Sequence, residues 1–258
     1  MYPVQILVIT ISKARRTLLE KQFQELAIPF TVNYMEASSP DNSIVYLPPN
    51  CTDRQARNIC CSRSHLRAIQ AAANPDAPEF TIIMEDDIAL HKILFTPLVI
   101  ELLENWHSIM KEKDSSMISL GWIPCKNYET YLSAQSCHQL STPNIKLLRD
   151  RFAPGLQAYM LHKSTAVHIS PFLIHDTFQS LYDCLKSKNI PHIRPSDTLE
   201  STDFILPQLL LQTLVCPPVI IEQPVESTLG HTNEILYWSP YFKNYEHIRQ
   251  GYWSSHPQ

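Results

Sequence analysis

Apolar and polar positions along the first half of the chain mark out strands and helices in turn. "VQILVITI", residues 4–11, is an unbroken apolar run rich in β-branched side chains, and in the following "ARRTLLEKQFQEL" Leu18, Leu19, Phe23 and Leu26 recur at helical spacing. The first predicts a strand and the second an amphipathic helix. "IPFTVNYMEA" predicts a second strand beginning near Pro29, and "SSPDNSIVYLPPNCTD" a polar, proline-bearing loop. "CSRSHLRAIQAAA" predicts a helix with Ser62 or Ser64 near its N-terminus, closed by "NPDAPEF". "FTIIM" is a strand whose apolar character implies burial on both faces. "LFTPLVIELLENWHSIMKEK" then predicts one helix and "MISLGWI" another strand. This alternation favours an α/β fold, a mostly parallel central sheet with helices on both faces.

The second half is less regular. "LQAYMLHKSTAVHIS" predicts a strand running into a helix, "FQSLYDCLKSK" a helix, "DFILPQLLLQ" an apolar helix with Pro207 near its start, and "CPPVIIEQPVES" a strand leaving into a loop. The aromatic stretch "ILYWSPYFKNYEHIRQGYW", with Lys243 and Arg249 interleaved, is expected to pack back on the domain; a membrane-surface or acceptor-binding tail is the alternative. No internal repeat interrupts the chain, and a single domain over residues 1–258 is expected.

Composition narrows the partners. A formal charge of −4 carries no bias toward polyanions, so nucleic acid is not expected as a partner. Seven cysteines without a C-x-x-C pair read as reduced thiols, and the apolar run at residues 4–11 is far shorter than the ~20 residues of a membrane span. The expectation is a cytoplasmic protein, at most peripheral to a membrane. Four glycines against twenty prolines leave no Walker loop and no G-x-G-x-x-G, so any bound phosphate must be held otherwise.

The chemistry is concentrated in "TIIMEDDIAL". Glu85, Asp86 and Asp87 follow directly on a buried strand, at the strand end where ligands bind in open α/β sheets. Strand alternation would put Glu85 and Asp87 on one side and Asp86 on the other. Either the triplet opens a solvated turn, or it holds a divalent cation, Mg²⁺ or Mn²⁺, able to offset charge on a departing diphosphate.

Several segments, taken in order, resemble glycosyltransferase family 25, the group of the lipooligosaccharide and collagen galactosyltransferases. They are "VITISKARRTLLEKQFQELAIPFTVNYMEA", "CSRSHLRAI" with Cys61, Ser64 and His65, "FTIIMEDDIAL", "APGLQAYMLHKSTA", "STDFIL" and "CPPVIIEQPVES". The resemblance implies a GT-A type, Rossmann-like fold, with residues 1–125 as the nucleotide-sugar-binding half and 126–258 as the acceptor-side half and C-terminal tail. It also implies a UDP-sugar donor, UDP-galactose in the first instance, a Mn²⁺ or Mg²⁺ ion, and inverting transfer to a glycan or protein-linked hydroxyl, as in lipopolysaccharide biosynthesis.

Carried over by residue, Asp87 and Glu85 are metal ligands, and Asp86 serves the metal, the donor's ribose or catalysis. Ile11, Arg15 and Arg16 lie near the nucleotide through the loop after the first strand, although surface charge on a helix's first turn would also account for the two arginines. Asp203 is the expected catalytic base, or else a helix cap. His65 contacts phosphate or acceptor, or is a packed structural residue; Tyr159 and Gly155 line the acceptor side; His231 is a further candidate metal ligand; Trp122 stacks on a sugar or packs in the core. The chain departs from the family where Arg57-Asn58-Ile59-Cys60 replaces Gly-Glu-x-Gly, which leaves open a catalytically degenerate relative that binds a sugar or partner. Another metal-dependent enzyme acting on nucleotide phosphates is the remaining alternative.

Overall fold

The computed structural model describes residues 2–40, 51–111, 116–122, 128–149, 153, 155–173, 206–207, 210–222 and 251–252. Its strands are β1 (Val4–Thr10), β2 (Thr31–Glu36), β3 (Phe80–Glu85), β4 (Ile88–Leu90), β5 (Met117–Gly121), β6 (Lys146–Arg149), β7 (Ala158–His162), β8 (Thr213–Cys216) and β9 (Ile220–Glu222). Its helices are α1 (Lys13–Glu25), α2 (Asp53–Ala72), α3 (Phe95–Glu104), α4 (Trp106–Lys111), α5 (Tyr128–Ser133) and α6 (Lys163–Ile169). Seven strands form one sheet in the order β2-β1-β3-β7-β5-β8-β6, and β4 pairs with β9 in a separate antiparallel ribbon. β2, β1, β3, β5 and β8 run one way, whereas β7 and β6 oppose their neighbours. The expected α/β architecture, a mostly parallel, Rossmann-like sheet flanked by helices, is the one observed.

The period-2 pattern of β1 explains the layering. Val4, Ile6 and Val8 join Leu19 and Phe23 of α1 and Leu98, Val99 and Leu102 of α3 in one core, while Leu7 and Ile9 join Leu66, Ile69 and Ala72 of α2 and Ala166 of α6 in another. Phe80, Ile82 and Met84 of β3 belong to the first core and Ile83 to the second, so β3 is buried on both faces as its sequence predicts. Each fully buried Leu, Ile or Phe contributes about 1.5–3 kcal/mol, so the two cores fix the sheet between two helical layers.

Several elements differ from expectation. α2 starts two turns before Cys61, at Asp53, because Thr52 and Gln55 form a reciprocal capping box; Ser62 and Ser64 therefore lie inside the helix. The expected helix after Leu94 is two helices, divided at Asn105, whose side chain and backbone N–H both donate to the Glu101 carbonyl, at 2.9 and 3.0 Å. In "DFILPQLLLQ" the expected helix gives way to a turn at Leu210–Leu211, with Leu211 at a φ of 49°, and β8 begins at Thr213. β6 and β8 were not anticipated: each is four residues long, too short for a periodic pattern to stand out. "FQSLYDCLKSK" and most of the C-terminal tail lie outside the described residues. Tyr252 of that tail does pack back: it bridges His91 and its buried hydroxyl donates to the Pro218 carbonyl. Trp122 is a core residue, its indole N–H donating to the Val215 carbonyl at 2.6 Å and its ring packed on Tyr131. Among the described residues no helix is long and apolar enough to cross a membrane.

One polar residue ties α1 to the ribbon beyond β3. Gln22 is completely buried; its amide N–H donates to the Ile88 carbonyl at 3.1 Å, and its carbonyl oxygen accepts the Leu90 N–H. Gln22→Leu leaves two buried backbone groups without partners, at roughly 1–3 kcal/mol each. We expect it to lower stability by about 2–4 kcal/mol in urea unfolding, and an unchanged midpoint would contradict this role for Gln22.

Candidate active site

The order β2-β1-β3 sends the chain from β1 through α1 to one side and through α2 to the other. The helices cover opposite faces, so the ends of β1 and β3 form a topological switch point of the sheet, the crevice position at which open α/β sheets bind ligands. Thr10, Ile11 and Ser12 stand on one lip and Glu85, Asp86 and Asp87 on the other.

Asp86 is folded into the lip. Its Oδ2 accepts from the Thr10 hydroxyl at 2.8 Å, the Ile11 N–H at 2.9 Å and the Ser12 N–H at 3.3 Å. Arg15, from the first turn of α1, reaches across with Nη1 3.5 Å from Asp86 Oδ1 and 3.0 Å from Asp87 Oδ2. Arg15 is buried, not a surface charge; a buried guanidinium between the buried Asp86 and the partly buried Asp87 carboxylates offsets the desolvation penalty that like charges would otherwise carry. Arg16 does match the surface reading, paired with Glu20 at 2.8 Å and lying 4.0 Å over the Tyr34 ring. Ile11 is exposed at the rim, where its N–H serves Asp86.

The expected alternation holds for one step only. Glu85 keeps the face of Ile83 and points to α2, and Asp86 takes the other; the strand ends at Glu85, and Asp87 turns to join Asp86 at Arg15 instead of siding with Glu85. On the α2 side Glu85 Oε1 lies 3.3 Å from His65 Nε2 and 3.6 Å from Cys61 Sγ. His65 Nδ1 is 3.2 Å from the Tyr159 hydroxyl. His65 and Tyr159 are almost fully buried, whereas Glu85 keeps 29% of its side-chain surface open. Tyr159, expected on the acceptor side, thus reaches the crevice only through His65.

Ser64, the other half of the Ser-His pair, has a different task. Its hydroxyl donates to the Cys60 carbonyl at 2.8 Å and accepts the Ser38 N–H at 2.8 Å, fastening α2 to the chain leaving β2. Gly155 has a φ of 98°, a left-handed conformation that side chains disfavour, which accounts for a glycine there on backbone grounds. Asp203 and His231 lie outside the described residues. The sequence reading missed Cys61 as a partner of Glu85, although Cys61 and His65 are spaced i, i+4 and so share a helix face.

Asp87 Oδ1 is buried and has no hydrogen-bond partner. Such an orphaned carboxylate oxygen is the kind of donor that a hard divalent cation takes, and Glu85 is near enough for its charge to act on Asp87. Burial, and next the negative charge of Glu85, push Asp87 up to about 7, against the pull of Arg15.

No protein-family model matches the chain, and no curated protein does. Among solved structures the chain is similar to a crystal structure described as a glycosyltransferase involved in the glycosylation of the major capsid of PBCV-1. That similarity has a TM-score of 0.35 at 10% identity and covers 90% of this chain and 98% of that one.

The Asp87 shift has a definite sign in stability. The unfolded chain releases this proton near 3.8 and the folded, metal-free chain near 7, so between those values the folded state holds more protons and stability falls as pH rises. Asp87→Asn removes the titration. In chelator-treated protein we expect the variant's unfolding free energy to vary less steeply than wild type between pH 4 and about 7, and to exceed wild type above that window. Parallel curves would refute the buried, protonatable state of Asp87.

Proposed function

We propose that the protein is a glycosyltransferase of the family 25 kind, transferring a hexose, galactose in the first instance, from a UDP-sugar to a hydroxyl of a glycan or glycosylated protein with inversion. The observation that carries the reading is the orphaned Asp87 Oδ1 beside Glu85 at the crevice of an α/β sheet in a chain without a glycine-rich phosphate loop. In this reading Asp87 and Glu85 would hold a Mn²⁺ or Mg²⁺ ion, which when bound supplies positive charge against the UDP leaving group.

The chain's own residues do the rest. Arg15 holds Asp87 in place through Oδ2, which leaves Oδ1 for a ligand. Asp86, occupied by Thr10, Ile11 and Ser12, shapes the loop on which the exposed Ile11 offers an apolar surface to the uracil or ribose. His65, itself backed by Tyr159, fixes the orientation of Glu85. Asp203 is the proposed base that takes the acceptor proton, and His231 a proposed additional metal ligand.

A second reading, binding of a sugar nucleotide or partner without turnover, is favoured by one feature. Arg15 already supplies one positive charge to Asp86 and Asp87, and the Gly-Glu-x-Gly expected by resemblance is replaced by helical Arg57–Cys60. Turnover separates the two. Wild-type protein incubated with a panel of UDP-sugars is expected to release UDP at a rate stimulated at least tenfold by Mn²⁺, on the order of the 1.4 kcal/mol that one charge interaction readily provides. Asp87→Asn should abolish the stimulation while the fold is kept. UDP binding without release of free sugar selects the binding reading, and neither binding nor release refutes both.

A further inference from the structure

On the α2 side of the crevice three different donor atoms converge. Cys61 Sγ, His65 Nε2 and Glu85 Oε1 lie within 4.8 Å of one another. Cys61 and His65 come from one face of α2, one turn apart, and Glu85 from the last position of β3, so two elements packed in the same core hold them together.

We propose that Cys61, His65 and Glu85 form a binding site for a thiophilic divalent cation of the Zn²⁺ class, which shares the Glu85 carboxylate with the hard-cation position at Asp87 but takes its other donors from α2. A tetrahedral zinc centre has bonds of ~2.3 Å to sulfur and ~2.0–2.1 Å to nitrogen and oxygen, which sets a sulfur–oxygen edge of ~3.6 Å and a nitrogen–oxygen edge of ~3.3 Å. The corresponding separations here are 3.6 Å and 3.3 Å. A mixed sulfur, imidazole and carboxylate set suits Zn²⁺ or Co²⁺ and disfavours Mg²⁺, which takes oxygen donors.

The surroundings match as well. A ligating histidine gives its second ring N–H to a fixed acceptor, and the Tyr159 hydroxyl stands 3.2 Å from His65 Nδ1 to receive it. His65 and Tyr159 are buried, but Cys61 and Glu85 are only half-buried, so the fourth position faces the crevice and stays open to water or a ligand. On binding, the Cys61 thiol forms the metal–sulfur bond and releases its proton to solvent.

The site does not depend on the transferase reading, because its readout involves no sugar nucleotide. Co²⁺ is titrated into chelator-treated, reduced full-length protein and followed by absorption. We expect a sulfur-to-cobalt charge-transfer band in the near ultraviolet that saturates at one equivalent and is displaced by Zn²⁺. Cys61→Ser should remove the band, whereas Asp87→Asn and Cys51→Ser should keep it. A wild-type protein without the band, or a band of full strength in Cys61→Ser, overturns the site. Should Cys61→Ser lose its fold, X-ray absorption of the cobalt-loaded wild type decides directly: one sulfur among nitrogen and oxygen neighbours is expected, and no sulfur overturns the site.

Discussion

The guanidinium of Arg15 is the contact on which the crevice depends. A buried strand that ends in three successive acids has too much negative charge for its surroundings, and among the described residues Arg15 is the buried cation paired with them. Arg15 is delivered by the first turn of α1, whose position is set by Leu19, Phe23 and Gln22 against the sheet and the β4 ribbon. The loop between β1 and α1 is locked from the other direction, since Thr10, Ile11 and Ser12 all donate to Asp86. Loop, helix and strand end therefore form one electrostatic unit. Within it Asp86 is satisfied, whereas Asp87 keeps one oxygen, Oδ1, without a hydrogen-bond partner.

Strand parity divides the remaining chemistry. Side chains on β3 alternate between the two cores, so Glu85 and Asp86, adjacent in sequence, meet different helices. Asp86 meets the arginine of α1, and Glu85 meets the thiol and imidazole of α2. Had β3 run two residues further, Asp87 would have followed Glu85 toward α2 and left Arg15 to Asp86 alone. The end of the strand at Glu85 is what separates a hard oxygen donor from a softer, mixed set.

Much of this architecture was legible in the sequence, for reasons that can be traced. β1, β3, β5 and β7 are apolar runs long enough to be recognised, and α1 carries its core residues at helical spacing. The early start of α2 was written in Thr52 and Gln55, three residues apart, but a proline-bearing segment just before them masked the capping box. β4, β6 and β8 could not be read because three or four residues do not establish a period, whereas β9 lies within the strand expected in "CPPVIIEQPVES". The acids of the site were evident as a triplet. The role of Arg15 was not, because its partners lie 71 and 72 positions away and only the parallel pairing of β1 with β3 brings them together. The meeting of Cys61 with Glu85 was hidden in the same way: each stood out, but their contact depends on α2 packing over the second core face.

The two faces of β3 also differ in how firmly their donors are held. Asp87 is held by Arg15 at Oδ2, and its other oxygen has no hydrogen-bond partner to lose. Glu85 is oriented by His65, and His65 stands against the buried hydroxyl of Tyr159, deep in the sheet. Rearranging Glu85 therefore requires disturbing a chain of contacts that ends in the core, whereas Asp87 Oδ1 has no such contact to disturb. Of the two carboxylates, Glu85 is the one tied to the core, and Asp87 the one whose carboxyl burial and the charge of Glu85 push up to about 7.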